Sequence, residues 1–275
     1  MPELPEVETI ARGLAKRVSG DRIESVWLGT KKEPLKSSPQ EIASILEHSR
    51  IAGVRRVGKH IVFELETKPG RTGQSRASQW IVHLGMTGRL LVRDRQESLP
   101  PHTHAVVRLE SSREILFVDP RRFGRLSVSA DGTFTAPGAE PLDIQLDPFI
   151  AFFRGRRTPI KSALLNQSLL SGVGNIYADE SLFRSHIRPR RRADGLTRKE
   201  LARLFAALRK VLAEAIALGG SSISDYVGAD GEEGFFQLRH RVYGREGRPC
   251  LLCKTPIKRI VIAGRSSHYC PGCQR

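Results

Sequence analysis

The chain has 275 residues and carries 45 Lys and Arg against 29 Asp and Glu, a formal charge of +16. That length accommodates two domains with a sizeable core. No charged-then-apolar leader and no apolar run near the roughly 20 residues that span a bilayer is present, so the reading is a soluble, intracellular protein whose charge points to a polyanionic partner, nucleic acid first.

The first feature in chain order is Met1-Pro2-Glu3-Leu4-Pro5-Glu6. Pro5-Glu6 suits the first turn of a helix, and Val7, Ile10, Leu14 and Val18 follow at helical spacing. Removal of Met1 leaves Pro2 with a secondary amine. An α-amino group titrates at about pKa 7.7–8.0, so part of it is nucleophilic at working pH. Attack by such an amine on an aldehyde-level carbon gives an iminium ion, as a Schiff-base lysine does. Glu3 is either a plain helix-cap carboxylate or the acid–base partner of that amine. Glu6 has two readings as well, a cap or a supporting group.

Arg22–Leu28 then alternates as a strand, residues 31–40 form a polar loop, and 41–48 suit a short helix. Further strand-like runs are Arg50–Val57, His60–Glu66, Trp80–Leu84, Arg89–Arg93, His104–Leu109, Glu114–Val118 and Arg125–Val128, with 68–79 as a long polar hairpin loop. Together they predict a β-sandwich domain with flanking helices over residues 1–130. Residues 131–148 are rich in Pro, Gly and Asp and read as a linker. Residues 149–220 are helical. Asp147-Pro148-Phe149 opens a helix to about Arg154, Thr158-Pro159 opens one to about Leu170, and Asn175 caps one to about Arg184. Thr197–Leu218 is a long helix with a capping box at Thr197 and Glu200, and Gly219-Gly220 ends it. Residues 221–240 predict a mobile loop and 241–275 a zinc finger. The fold class is α+β with two domains.

Cys250, Cys253, Cys270 and Cys273 form C-x2-C, a 16-residue gap and C-x2-C. This spacing predicts one structural Zn2+ held by four thiolates, with no position open to substrate. The gap reads as a hairpin with Arg265 near its tip, which the metal would fix for want of a core. His268 is an alternative ligand. His102 and His104 lack a nearby carboxylate or cysteine that would suggest a second metal.

MPELPEVETI, HLGMTGRL from His83, DPRRFG from Asp119, GVGNIYADE from Gly172 and the terminal YCPGCQR occur in this order. Together they resemble the bacterial formamidopyrimidine-DNA glycosylase family from end to end. The resemblance implies a base excision repair enzyme, a DNA glycosylase with abasic-site lyase activity. It would release 8-oxoguanine and formamidopyrimidines from duplex DNA, then cut the strand by β,δ-elimination. It also implies a helix–two-turn–helix motif within 149–220, lesion recognition by the 221–240 loop, a monomer, and a nucleoid-associated place in the bacterial cytoplasm.

Site roles follow from the same resemblance. Pro2 attacks C1′ and Glu3 handles protons, with Glu6 supporting. Lys59 is the proton donor of β-elimination, although by itself it reads as one more exposed charge on a strand edge. Arg265 contacts the scissile phosphate region and assists δ-elimination. A base attacked at C1′ must be flipped out, and Met86, Arg121 and Phe123 fill the void. Core packing is the alternative for Met86 and Phe123, but their Gly and Pro-Arg-Arg flanks are poor core formers. Arg121 would bond the orphaned base. His83, His102, Arg157 and Asn175 would bind the DNA backbone, Asn175 from a helix start. The Arg188–Arg192 run is either a further contact or a solvated face.

Two departures stand out. Gly138-Ala139-Glu140-Pro141 replaces a common Gly-Pro-Glu-Pro, and Ser221-Ser222-Ile223 with Gly228-Ala229-Asp230-Gly231 alters the lesion loop. Rival readings are an endonuclease VIII-type enzyme acting on oxidised pyrimidines, a catalytically silent DNA binder, and a generic zinc-containing ribosomal or transcription protein. Leu4 and the Asp119–Gly124 segment favour the purine branch.

Overall fold

Short apolar strands form two antiparallel sheets that share one core. In the computed structural model, which describes residues 1–67, 77–96, 98–221 and 234–275, the strands are β1 (Ile23–Leu28), β2 (Arg50–Val57), β3 (His60–Glu66), β4 (Ala77–His83), β5 (Arg89–Asp94), β6 (Thr103–Leu109), β7 (Arg113–Val118) and β8 (Arg125–Ser129). One sheet has the order β1-β6-β7-β5 and the other β2-β3-β4-β8. Their inward residues, among them Ile23, Ile61, Phe63, Trp80, Val82, Ala105, Val107, Phe117 and Leu126, share one core. Helix α1 (Leu4–Val18) puts Val7, Ile10, Leu14 and Val18 into that core. Helix α2 (Pro39–Leu46) adds Ile42 and Leu46, with Ser38 capping through the Glu41 amide.

The second region is mainly helical: α3 (Leu146–Ala151), α4 (Ile160–Leu164), α5 (Asn175–Arg184) and α6 (Arg198–Ala217), followed by the hairpin β9 (Lys258–Ile262) and β10 (Arg265–Tyr269). Helix α6 has the expected capping box, with Thr197 and Glu200 bonding each other's backbone. Packing divides the chain into two units, Met1–Ala136 with Ser221–Gly234, and Pro137–Gly220 with Phe235–Arg275. Among the described residues no helix is long and apolar enough to cross a membrane.

Several boundaries differ from the sequence reading for local reasons. The helix expected to reach Leu170 ends at Leu164. Beyond it the Asn166 side chain accepts the Ser168 amide at 2.9 Å, which favours a turn over another helical turn. Asn175 does not cap α5; Gly174 is the N-cap and Asn175 is the first helical residue. Within the expected linker, Ala139 bridges to Leu170 and α3 begins at Leu146. Of the 68–79 hairpin loop, residues 77–79 belong to β4 and 68–76 lie outside the described residues. Most of the 221–240 loop, residues 222–233, also lies outside them, while Phe236–Arg239 form a short 3-10 turn.

Candidate active site

Pro2 stands just ahead of the helical start, before the N-cap residue Glu3. Glu3 and Glu6 are both buried and form a capping box, in which the Glu3 amide donates to Glu6 Oε2 at 2.8 Å. The other Glu6 oxygen accepts the Ser221 amide at 2.8 Å. Glu6 thus caps α1 and links the Glu3 amide to the Ser221 amide through one carboxylate.

Lys59 sits in the two-residue turn that joins β2 to β3, where Val57 pairs with His60. Gly58 has φ +59°, the left-handed conformation that primed hairpin turns demand. Lys59 is buried, so it is not a loose charge on a strand edge. Arg56 ties this turn to α1: it donates to the Glu8 carboxylate at 2.8 Å and to the Gly58 carbonyl at 3.1 Å. The turn bearing Lys59 and the helix that starts beside Pro2 are therefore braced against each other.

Met86 and Phe123 are 38% and 52% exposed, so neither is a core residue. They lie on two loops whose backbones touch. A Cβ on Gly85, which has φ +66°, would stand 2.5 Å from the Phe123 carbonyl carbon. The buried Asp119 carboxylate organises both loops. It accepts the Thr87 hydroxyl at 2.5 Å, the Arg121 amide at 3.2 Å and the Gly124 amide at 2.7 Å. The Arg121 guanidinium lies over the Phe123 ring, 4.8 Å from its centroid. The structure therefore stacks Arg121 on Phe123 and carries the exposed Met86 on the adjoining loop.

His83 ends β4 beside this group. Its Nδ1 accepts the Gly85 amide at 3.1 Å, and its ring lies 5.0 Å from that of His60. Burial, then the neighbouring His60, Lys59 and Arg125, holds its pKa down at about 4. His83 is thus neutral at pH 7, and the accepting Nδ1 puts its proton on Nε2, a neutral hydrogen-bond donor. His102 is exposed with φ +65°, at the start of β6. His104 is buried and engages the Asp119 carbonyl at 2.9 Å, a structural bond.

In the second unit, Arg265 opens β10 opposite Ile262, at the hairpin end the sequence predicted. Its neighbour Ser266 is held twice: the Lys161 ammonium donates to its carbonyl at 2.6 Å, and Asn175 Nδ2 approaches its hydroxyl at 3.4 Å. Lys161 also pairs with Asp179 at 2.6 Å, both fully buried. Asp179 accepts the His268 amide at 2.8 Å and faces its ring. His268 is thereby occupied as a partner of Asp179 rather than as a metal ligand. Arg157 is exposed. Three members of the Arg188–Arg192 run are engaged internally: Arg188 lies over the Tyr269 ring, Arg191 pairs with Glu200 and Arg192 with Asp194.

The four cysteines converge. Their sulfurs all lie within 4.8 Å of one another, with Cys250 to Cys273 at 3.9 Å and Cys253 to Cys270 at 3.3 Å. Metal–sulfur bonds of about 2.3 Å require tetrahedral edges of about 3.8 Å, so the residues fit a four-thiolate Zn2+. Gln274 braces the site, accepting the Cys270 amide and donating to the Ile187 carbonyl, each at 2.8 Å. The metal is structural, since protein sulfur fills every position.

Three family models match successive stretches: the formamidopyrimidine-DNA glycosylase N-terminal domain over residues 1–126, its H2TH domain over 136–227, and a zinc finger found in FPG and IleRS over 247–275. A formamidopyrimidine-DNA glycosylase of Solibacter usitatus is 43% identical over the full length of both chains. The chain belongs to the formamidopyrimidine-DNA glycosylase family. It is an enzyme of that class. The crystal structure of MutM (Fpg) from Thermus thermophilus superposes with TM-score 0.86 at 42% identity, over 99% of this chain and 98% of that one. A Lactococcus lactis Fpg mutant in complex with Fapy-dG-containing DNA gives 0.89 at 31% identity over both full chains.

For this glycosylase, sequence reasoning missed the residues that hold the site together. Arg56 and Lys161 lie in none of the sequence motifs, and Thr87, Asp179 and Glu180 lie within motifs that assign them no role. Glu180 is buried, and its carboxylate accepts the backbone amides of Arg241, Val242 and Tyr243 at 2.9–3.0 Å. Burial pushes its pKa up against the pull of those amides. A signal did exist for two of them, since Asp179 and Glu180 are acids inside an otherwise apolar helical run.

Proposed function

We propose that this DNA glycosylase acts on oxidised purines in duplex DNA, 8-oxoguanine and formamidopyrimidines, through an iminium intermediate on Pro2. The observation that carries the reading is the N-terminus of α1, where a buried Glu3 is fixed in a capping box directly after Pro2. With Met1 removed, the Pro2 amine attacks C1′, the N-glycosidic bond breaks and the damaged base leaves. Glu3 protonates the ring oxygen as the sugar opens to the iminium. The iminium acidifies the 2′ hydrogens. Loss of one of them expels the 3′ phosphate, with Lys59 supplying the proton, and a second elimination assisted by Arg265 expels the 5′ phosphate.

Met86 and Phe123 fill the space left by the flipped nucleotide and Arg121 bonds the orphaned base. His83, His102, Arg157 and Asn175 position the backbone, His83 as a neutral donor. The protein works as a monomer on the DNA of the bacterial nucleoid. Relatives bound to Fapy-dG-containing and carbocyclic 8-oxo-G-containing DNA support the purine branch, and the Lactococcus lactis complex with DNA containing an oxidised pyrimidine makes the pyrimidine arm of the test necessary.

Borohydride trapping tests the proposal on a duplex with one 8-oxoguanine opposite cytosine, beside a matched thymine-glycol duplex. An adduct on the oxoguanine strand that maps to Pro2 is expected. An adduct on thymine glycol alone moves the enzyme to pyrimidine lesions, and no adduct despite tight binding overturns the iminium route.

A further inference from the structure

The Trp27 side chain lies on β1 outside the core cluster and is 45% exposed. The chain has two tryptophans. The other, Trp80, is 1% exposed and stacked on Phe63 at 4.5 Å. Beside Trp27 is a cavity of about 450 Å3 walled by Lys31, His102, Pro120 and Arg122. No acidic residue lines it among the described residues. Its walls are set by fixed groups: the Gly29 amide donates to the His104 carbonyl at 2.9 Å, and Arg122 pairs with Glu33 at 3.0 Å.

An exposed indole in a cavity lined also by Lys31, His102 and Arg122, the last paired with Glu33, suits one kind of ligand, a flat π-system that carries a phosphate. Aromatic platforms beside cationic grooves hold the bases of unpaired nucleic acid in this way. The volume falls in the range of about 300–1,000 Å3 that small-ligand sites occupy. The cavity also has a defined neighbour. Arg122 lines it on one side and on the other lines the cavity that contains Arg121 and Phe123.

We propose that the Trp27 cavity is a second nucleotide site, in which a DNA base next to the wedge stacks on the indole with its phosphate among Lys31, His102 and Arg122. The proposal rests on the glycosylase reading above. Only an unstacked base can enter, so occupancy reports duplex opening beside the lesion.

The test is titration of the full-length zinc protein with a tetrahydrofuran-containing duplex, following tryptophan fluorescence. Because Trp80 is buried and stacked, quenching is expected from Trp27, and Trp27→Phe should abolish it while keeping affinity within about twofold. Trp27→Ala should weaken binding about tenfold. Trp27→Leu, which retains apolar bulk without the π-face, should do the same if Trp27→Ala fails to fold. Lys31→Ala should lower the salt slope by about 1. Unquenched fluorescence together with wild-type affinity in Trp27→Leu overturns the site. If borohydride trapping on 8-oxoguanine stays intact in that case, the glycosylase reading stands without it. Absent trapping in the wild-type protein overturns the iminium route and leaves the Trp27 site to be decided by quenching and affinity.

Discussion

Glu6 and Ser221 lie 215 positions apart in the chain, yet the Ser221 amide donates to Glu6 Oε1 at 2.8 Å. The second oxygen of the same carboxylate accepts the Glu3 amide at 2.8 Å. One buried group therefore fixes both the proposed acid–base residue and the point where the chain enters the loop assigned to the lesion. In Glu6→Gln the side chain turns an NH2 toward one of the two donors. Hydrogen bonds to charged groups contribute about 1.5–3 kcal/mol, so single-turnover excision of 8-oxoguanine should fall roughly tenfold to a hundredfold. A wild-type rate would reduce Glu6 to a helix cap.

Asp119 should control how well the opposite base is read. Asp119→Asn loses acceptor strength toward the Thr87 hydroxyl and two backbone amides. We expect a destabilisation of about 2 kcal/mol and a narrowed ratio of excision rates opposite cytosine and adenine. Arg121→Ala should narrow that ratio without the loss of stability. Rates and thermal midpoints measured together separate the two effects.

The buried Lys161–Asp179 pair predicts an asymmetric mutant cycle. Lys161→Met strands a buried carboxylate and should cost about 3–5 kcal/mol, whereas adding Asp179→Asn, which is neutral and keeps an acceptor for the His268 amide, should recover much of it. Because Lys161 also holds the Ser266 carbonyl beside Arg265, the single variant should accumulate β-elimination product at the expense of the β,δ product. An unchanged product ratio would show that Arg265 does not depend on this brace.

Removing zinc should separate folding of the hairpin from folding of the sandwich. The finger's own core is small, with Phe183, Val242, Ile257 and two of the cysteines at its centre. Chelation, or Cys253→Ser, should abolish duplex binding in a gel-shift assay while the stacked Trp80 keeps its fluorescence maximum. Restored zinc should restore binding to the chelated wild type. Binding that survives verified zinc loss would remove the finger from the DNA contact.

Stability should decline on mild acidification. Burial holds both His83 and His240 at about 4, and lowers His60 as well. Unfolded imidazoles titrate near 6.5, so between about pH 6.5 and 4 the unfolded chain binds more protons than the folded one. The histidine contribution is complete above that window, is lost as pH falls through it, and is constant below about 4. Urea midpoints at pH 7, 5.5 and 4.5 should show the slope, and His240→Gln should flatten it.

The sandwich was legible because short apolar runs bounded by Gly and charge clusters read as strands whether they alternate, as in β5, or are buried continuously, as in β4 and β7, and the long helix because its leucines repeat at helical spacing. The thiolate site was legible because metal geometry constrains spacing directly. The end of α4 was not, since Asn166 stops the helix through a local side-chain bond that leaves the apolar pattern looking continuous. The cap of α5 was misread for a similar reason: Asn is a strong cap, but here its amide faces Ser266, 91 positions away. The bonds of Arg56 to Glu8, Lys161 to Ser266 and Asp119 to Thr87 join residues far apart in the chain, and pairing of that kind leaves no periodicity to read.

The contact between Gly85 and the Phe123 backbone has a consequence for redesign. Any side chain at 85 would displace the other loop, since its Cβ would meet main-chain atoms at 2.5–2.7 Å. Libraries meant to alter which opposing base is accepted should therefore diversify 86, 121 and 123 as one linked set. Gly85, Gly88, Asp119 and Gly124 should stay constant as the frame that lets the varied positions be exchanged without refolding the loops.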